Sequence, residues 1–342
     1  MRIKKNIILV LALVLVLVLN TSCLHFNANK GNQAFKGPYD LRAYNDEKCI
    51  GFNHVYKELV QDNRIDKSLS DDTNLKGQIT VYIPKKEGKY PLILITHGWS
   101  NSKYSFLSIG RYLASNGYAV AVFTSKNQAL PRDWLPAFSS AYELIKEKTE
   151  DPEHSLYGLI DTENIGLLAH SMGGAASLYY ANFMPQVKAV TAIHAYNGSS
   201  YLIETVGSAN EDLGDTFLQI KGAVLFLTSE ADITAYPEKT YRFFKNLNKE
   251  NPACFLSFKD VKHNGALDIY KAPFAGGYDE KIFKRYTELT VSWFDAFLKE
   301  KKEKIGLFKK DDILFKNIKD FLYTETQREH EVYPNYDSRN LE

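Results

Sequence analysis

The chain has 342 residues, of which 44% are hydrophobic and 24% charged, with a formal net charge of +1. That balance does not suggest nucleic-acid binding, which normally needs a clustered basic face. The three cysteines form no Cys-x-x-Cys pattern and no His-x-x-x-His spacing accompanies them, so a structural zinc site has no support.

Residues 1–22 read as an export signal. Arg2, Lys4 and Lys5 form a basic start, and Ile7 to Leu19 is an uninterrupted apolar run of 13 residues. A membrane-spanning helix needs roughly 20 apolar residues, so the run suits a signal-peptide core better than a permanent anchor. It ends in Leu19-Asn-Thr-Ser-Cys23. A small residue directly before a cysteine resembles the lipobox of bacterial lipoproteins, which implies acylation of Cys23 and attachment to a membrane surface. The departure is Asn20, where that pattern places Leu. Cleavage near the same place with Cys23 incidental is the alternative. Loss of residues 1–22 removes three positive charges and leaves a net charge of −2. Cys49 and Cys254 could pair in an oxidising compartment, or each could be a small buried hydrophobe.

Residues 23–36 are polar and read as a tether. From Gly37 to about Lys76 no clean periodicity appears. Gln78-Ile-Thr-Val-Tyr-Ile83 alternates as a half-exposed edge strand does. A regular succession follows: a buried strand at Leu92–Thr96, a helix over Phe106–Ser115, a strand over Tyr118–Thr124 and a helix over Ala137–Lys148. Next come a strand at Ile165–Ala169 leading into a helix, and strands at Val187–Ile193 and Ala223–Thr228. A helix over Glu238–Leu247, a strand at Cys254–Phe258 and a helix over Glu280–Lys299 complete the series. Such alternation predicts a doubly wound α/β domain over residues 37–324, its sheet mostly parallel and helices on both faces. Leu314, Ile318, Phe321 and Leu322 share a helical face that is expected to pack on the domain. Residues 325–342 have the composition of a disordered tail.

The chemistry concentrates in Glu163–Asn182. The apolar strand Ile165-Gly-Leu-Leu-Ala169 reverses into a helix across His170-Ser-Met-Gly-Gly174, with small residues Ala169, Ser171 and Gly173 at alternating positions. Tight backbone contacts at both flanks of such a turn require small side chains. The turn lifts the Ser171 hydroxyl out of the sheet and aims a helix N-terminus at it, which is the geometry of a nucleophile elbow. A serine that merely caps a glycine-tolerant helix is the plainer alternative.

A serine hydroxyl needs a base, and the base needs an orienting carboxylate. In doubly wound hydrolases these follow in the order Ser, acid, His. Of eight histidines, His263 follows a late strand, in the loop Lys259-Asp-Val-Lys-His-Asn-Gly265. His194 precedes any suitable acid, His97 suits support of its loop, and His170, next to the serine, is expected to pack beneath the elbow. Asp232 lies beyond the strand Val224–Thr228, where catalytic groups collect in such sheets. Glu230 is its rival, while Asp260 and Asp268 read as surface charges. Oxyanion donors are expected at the amides of Met172, opening the elbow helix, and Trp99, in His97-Gly-Trp-Ser100.

With these residues in place the chain resembles the α/β-hydrolase superfamily, in its dienelactone-hydrolase-like, platelet-activating-factor-acetylhydrolase-like and cutinase-like polyester-hydrolase branch. The resemblance rests on His97-Gly-Trp, Leu156-Tyr-Gly-Leu-Ile-Asp161, Ile165–Gly174, Ser229-Glu-Ala-Asp232 and Val261-Lys-His263. It departs at Ala169, where the elbow usually has Gly, and over Tyr196–Gln219. It implies a Ser171–Asp232–His263 triad, oxyanion donors at Trp99 and Met172, no metal or organic cofactor, and small or polymeric ester substrates. Trp99 and Tyr196 are then the expected aromatic walls of an open groove. A peptidase or acyl-transferase with the same triad, and a non-catalytic binding lipoprotein on the same scaffold, are the rival readings.

Overall fold

The computed structural model describes residues 36–46, 79–125, 128, 130–197, 217, 219–268, 275–316, 322 and 333–341. Among these residues the centre is a sheet of nine strands in the order β1-β2-β4-β3-β5-β6-β7-β8-β9. These are β1 (Leu41–Asp46), β2 (Ile79–Pro84), β3 (Tyr90–Thr96), β4 (Ala119–Phe123), β5 (Ile160–His170), β6 (Val187–Ile193), β7 (Ala223–Ser229), β8 (Ala253–Phe258) and β9 (Tyr336–Arg339). The six strands from β4 to β8 run parallel, and β1, β2 and β9 are antiparallel additions at the two edges.

Among the described residues, five helices cover the sheet: α1 (Leu107–Ser115), α2 (Leu135–Glu150), α3 (Ser171–Phe183), α4 (Pro237–Lys245) and α5 (Glu280–Leu298). Residues of α2, α3 and α4 share one apolar cluster with one face of the sheet, and residues of α1 and α5 share a second cluster with the other. Covering both faces explains the unbroken apolar runs. Leu92 and Leu94 of β3 point into the first cluster and Ile93 into the second, all fully buried. Burial of each such side chain contributes about 1.5–3 kcal/mol.

Three parts of the chain differ from the sequence expectation. β2 is not a half-exposed edge: all six of its residues are buried, because β1 pairs along its outer side from Leu41↔Pro84 to Asp46↔Ile79. Its alternation is between two cores, with Val81 and Ile83 in one and Tyr82 in the other. Residues 336–339, inside the expected disordered tail, form β9 on the edge of β8. Polar side chains suit that edge position, and anchoring comes from flanking Tyr333 and Leu341, both buried. Arg339 adds a hydrogen bond to the Phe244 carbonyl at 2.9 Å.

The expected helical stripe near the C-terminus is instead a short 3₁₀ turn, Ile313–Phe315, with Phe315 and Leu322 buried and Leu314 exposed. Ile318 and Phe321 lie outside the described residues, as do the expected export signal, Cys23, the tether to residue 35, and Cys49. Cys254 is buried in β8, and burial pushes its thiol well above the ordinary range. Among the described residues, no helix is long and apolar enough to cross a membrane.

Candidate active site

Strand order reverses about β3, since the chain passes from β3 to β4 on one side and to β5 on the other. The carboxyl ends of parallel strands at such a switch point form a crevice, where loops can converge without crossing the sheet. Five adjacent strands deliver the candidate residues there: His97–Trp99 after β3, Ser171 after β5, His194 after β6, Asp232 after β7 and His263 after β8.

Ser171 takes φ = 56°, in the left-handed region. For a side chain other than glycine this costs of order 1–3 kcal/mol, and it persists only where surrounding structure enforces it. The enforcement is visible in the neighbours. A Cβ at Gly173 would lie 2.2 Å from the His97 carbonyl oxygen, so the first turn of α3 packs against the loop after β3 with no room for a side chain. At Gly98 a Cβ would come within 2.6 Å of the Ser171 Cβ. The Ser171 carbonyl in turn accepts from the Tyr196 amide at 3.0 Å. Ala169, the departure from the usual elbow, is fully buried on β5.

His263 Nδ1 donates to Asp232 Oδ2 at 2.8 Å. The other oxygen, Oδ1, accepts from the amides of Thr234 at 2.7 Å and Ala235 at 3.0 Å. These two bonds fix the carboxylate plane from its own loop. Burial alone would push the Asp232 carboxyl up. The His263 and His194 rings outweigh it and hold the group well below the usual carboxylate range. Asp232, rather than Glu230, is therefore the carboxylate joined to His263.

The supporting histidines occupy the places expected of them. His97 is fully buried, donating from Nδ1 to the Gly98 carbonyl at 2.7 Å and accepting at Nε2 from the Ser125 amide at 2.9 Å. Burial lowers its pKa to about 4, so the ring is neutral and braces the loop carrying Trp99. His170 Nε2 donates to the His263 carbonyl at 2.8 Å, with the two ring centres 4.4 Å apart. It ties the elbow to the loop that carries His263. Burial, then the neighbouring His263 and His194, lower its pKa well below the ordinary value.

Trp99 and Tyr196 differ. Trp99 is 56% exposed, whereas Tyr196 is only 4% exposed and belongs to the core. Tyr196 is thus not an open wall: its ring packs in the core beside the elbow, where its amide donates to the Ser171 carbonyl. Ile233, next to Asp232, is exposed instead. Met172 sits at the first turn of α3, its amide at the helix N-terminus. Asp268 is also not a surface charge: it is buried and accepts from the Ser108 amide at 2.7 Å, pinning the end of the His263 loop to α1.

His194 was not legible as part of the site. Fully buried, it donates from Nδ1 to Asp232 Oδ2 at 2.7 Å, the same oxygen that His263 uses. The ligand-type atoms of His194, Asp232 and His263 lie within 4.8 Å of one another, close enough for an ion. Each Nδ1, however, is committed to the carboxylate as a hydrogen-bond donor. The position of His194 at the end of a strand beside the elbow was the available signal, hidden by the Ser, acid, His order.

A doubly wound sheet that strains one serine between a central strand and its helix is that of an α/β-hydrolase, in the serine hydrolase class. The chain belongs to the PET hydrolase-like family, whose model matches residues 64–304. Among similar proteins, a cutinase est1 of Thermobifida alba is 21% identical over 226 residues, 66% of this chain and 66% of that protein. Cutinase 2 of Thermobifida cellulosilytica is 21% identical over 225 residues, 65% of this chain and 74% of its own length. Cutinase est2 of Thermobifida alba is 27% identical over 226 residues, covering 66% and 65%. The chain thus spans about two thirds of the length of these relatives.

Proposed function

We propose that the protein is an exported serine esterase that hydrolyses carboxylic esters through an acyl-enzyme. The observation that carries this reading is the His263–Asp232 pair at 2.8 Å, in the crevice that also holds the strained Ser171. Ser171 Oγ attacks the ester carbonyl while His263 Nε2 takes its proton, and Asp232 holds His263 in the tautomer with Nδ1–H. The amides of Trp99 and Met172 receive the charge developing on the carbonyl oxygen. Collapse of the tetrahedral intermediate breaks the ester C–O bond, and His263 returns the proton to the departing alcohol. Water, deprotonated by His263, then attacks the acyl-enzyme and frees Ser171 with the acid product.

The substrate reading is a small or polymeric ester with short acyl groups. Exposed Trp99 and Ile233 offer apolar surface beside the crevice rather than an enclosed tunnel. Residues 195–222 are the place where a lid would enter, and the segment carries Gly198-Ser-Ser and Gly207-Ser-Ala-Asn, unlike an apolar lid underside. Most of that segment lies outside the described residues. An open groove leaves added methylenes short of the full ~0.8 kcal/mol of burial each. Nitrophenyl acetate to butyrate should therefore be hydrolysed faster than decanoate or longer, with no rise in rate as substrate passes from monomer to micelle. A preference for lipid-length chains, or hydrolysis of aminoacyl anilides at the rate of esters, would overturn the reading.

The basic start, apolar run and Ser22-Cys23 support export with a lipid anchor on Cys23. On that reading Cys23→Ser releases protein that stays in the aqueous phase, while the wild type partitions into detergent. An intact wild-type N-terminus at a residue other than Cys23, free of lipid by mass spectrometry, would count against the anchor.

A further inference from the structure

Asp232 serves two imidazoles, and a triad needs only one. His194 and His263 both reach Oδ2 through Nδ1, at 2.7 and 2.8 Å, with ring centres 5.7 Å apart. Because a carboxylate only accepts, each Nδ1 carries a proton. On the far side of His194, Nε2 lies 3.1 Å from the Tyr286 hydroxyl, and the two rings stack at 5.8 Å. Burial raises the Tyr286 pKa well above its ordinary value and lowers that of His194. With Nδ1–H turned to Asp232, Nε2 is the accepting nitrogen, and the Tyr286 hydroxyl donates a hydrogen bond to it. Its other acceptor, the Thr228 carbonyl, lies farther off at 3.4 Å. The hydrogen bonds run in one direction, from Tyr286 to His194 to Asp232, and meet the bond from His263 at the same oxygen.

The backbone is bent to make this contact. His194 has φ = 46° at the point where the chain leaves β6, and its amide is held by the Leu227 carbonyl at 2.7 Å. A left-handed histidine with a fully buried ring is an arrangement that the surrounding structure must impose. The ring cannot touch substrate, since none of it reaches the surface.

We propose that His194, polarised by Tyr286, is a positioning residue that divides the negative charge of Asp232 and so sets the pH at which His263 becomes available as the base. This inference rests on the serine esterase reading given above. The groups that face His263 are His170 from the elbow, His194 from the end of β6 and Asp232 from the loop after β7, with Tyr286 and its neighbour Arg285 of α5 behind His194. Only Asp232 among them is an anion that stabilises an imidazolium on His263. A second N–H on Oδ2, that of His194 at 2.7 Å, weakens the hold of the carboxylate on the His263 ring. Without His194 the undivided charge favours the imidazolium, and the acid limb of the activity profile moves to higher pH.

The test is kcat/KM for nitrophenyl butyrate across pH, with the rate of fluorophosphonate labelling, on the full chain and its variants. His194→Ala is expected to move the acid limb upward by about one pH unit, with the plateau reduced less than about tenfold. His194→Asn should restore the wild-type limb, because an amide N–H extends about as far as Nδ1–H and asparagine tolerates positive φ. Tyr286→Phe keeps the Nδ1–H bond of His194 to Asp232 but removes the donor at Nε2, and should shift the limb in the same direction by less. An unmoved limb in folded His194→Ala, or an Asn variant displaced as far as Ala, would overturn the inference. Should the alanine variant fail to fold, an unmoved limb in Tyr286→Phe does the same. If Ser171→Ala labels as fast as wild type, the esterase reading falls and takes this inference with it. Labelling confined to Ser171 with limbs identical in all variants sinks the role of His194 alone.

Discussion

Replacing Ser171 with alanine is expected to lower ester turnover by a factor on the order of 10⁴ or more while leaving the fold intact. The hydroxyl is the only atom that alanine lacks, and it supplies the covalent bond of the acyl-enzyme. What remains is the uncatalysed attack of water assisted by the oxyanion donors and by binding. The fold should hold because the neighbours that enforce the left-handed turn act on its backbone. Gly98 leaves room for the Cβ at residue 171, and Gly173 lets the first turn of α3 pack on the His97 carbonyl; neither contact involves the hydroxyl. Alanine at φ = 56° carries a strain similar to that of serine. Melting temperature by circular dichroism should therefore move by a few degrees at most, with a fluorophosphonate probe marking the wild type and missing the variant. Equal labelling, or turnover within tenfold of wild type, would remove Ser171 from the chemistry.

The parts of the fold that were legible are those whose residues answer to one physical demand. A parallel strand covered on both faces must be largely apolar, so Leu92–Thr96 and Val187–Ile193 read as what they are, with Lys188 exposed near the start of the second. Helix α5 announces itself through its period, and Asp279 caps it by accepting from the amides of Lys281 and Ile282. The elbow was legible because a strand that turns at once into a helix tolerates only small neighbours. β2 misleads because alternation records two environments without saying that one is solvent; both turned out to be cores. β9 was hidden by the polar side chains that an edge strand can carry. Its anchors are Tyr333 and Leu341, outside the strand, and a hydrogen bond from the Tyr241 hydroxyl to Asp337 at 2.7 Å. None of these is a local feature.

The site divides in the same way. Chain order and strand ends were enough to single out Ser171, Asp232 and His263. Order is blind to His194, which meets Asp232 across 38 residues through a backbone conformation that no local pattern announces. Asp268 failed for a related reason. A carboxylate in a polar loop reads as solvated, yet this one is buried against the first turn of α1, where a helix amide satisfies it and burial raises its pKa to about 6. Tyr196 reads as an aromatic wall from its residue type, whereas its ring packs in the core cluster.

Asp232→Asn is expected to cripple turnover by roughly 10³ to 10⁴ with little change in KM, and Glu230→Gln to cost less than about tenfold. The two bonds from Thr234 and Ala235 require an acceptor, so the carbonyl oxygen of asparagine takes the place of Oδ1. Its NH₂ group then occupies the place of Oδ2 and faces two Nδ1–H donors with further donors. Each ring can relieve the conflict only by moving its proton to Nε2. For His263 that is the wrong tautomer, since the nitrogen that must accept the Ser171 proton already holds one. For His194 it turns Nε2 into a donor toward Tyr286, reversing that bond and leaving the hydroxyl to donate to the Thr228 carbonyl at 3.4 Å. Two rings thus oppose the substitution where an ordinary triad has one, which places the expected loss at the upper part of the range. Glu230 contributes its amide to the Phe258 carbonyl at 2.9 Å, a bond that Gln keeps. The measurement is kcat and KM for both variants on one ester, with melting curves to establish that each is folded. A Glu230→Gln variant slower than Asp232→Asn would mean that the orienting carboxylate has been assigned to the wrong residue.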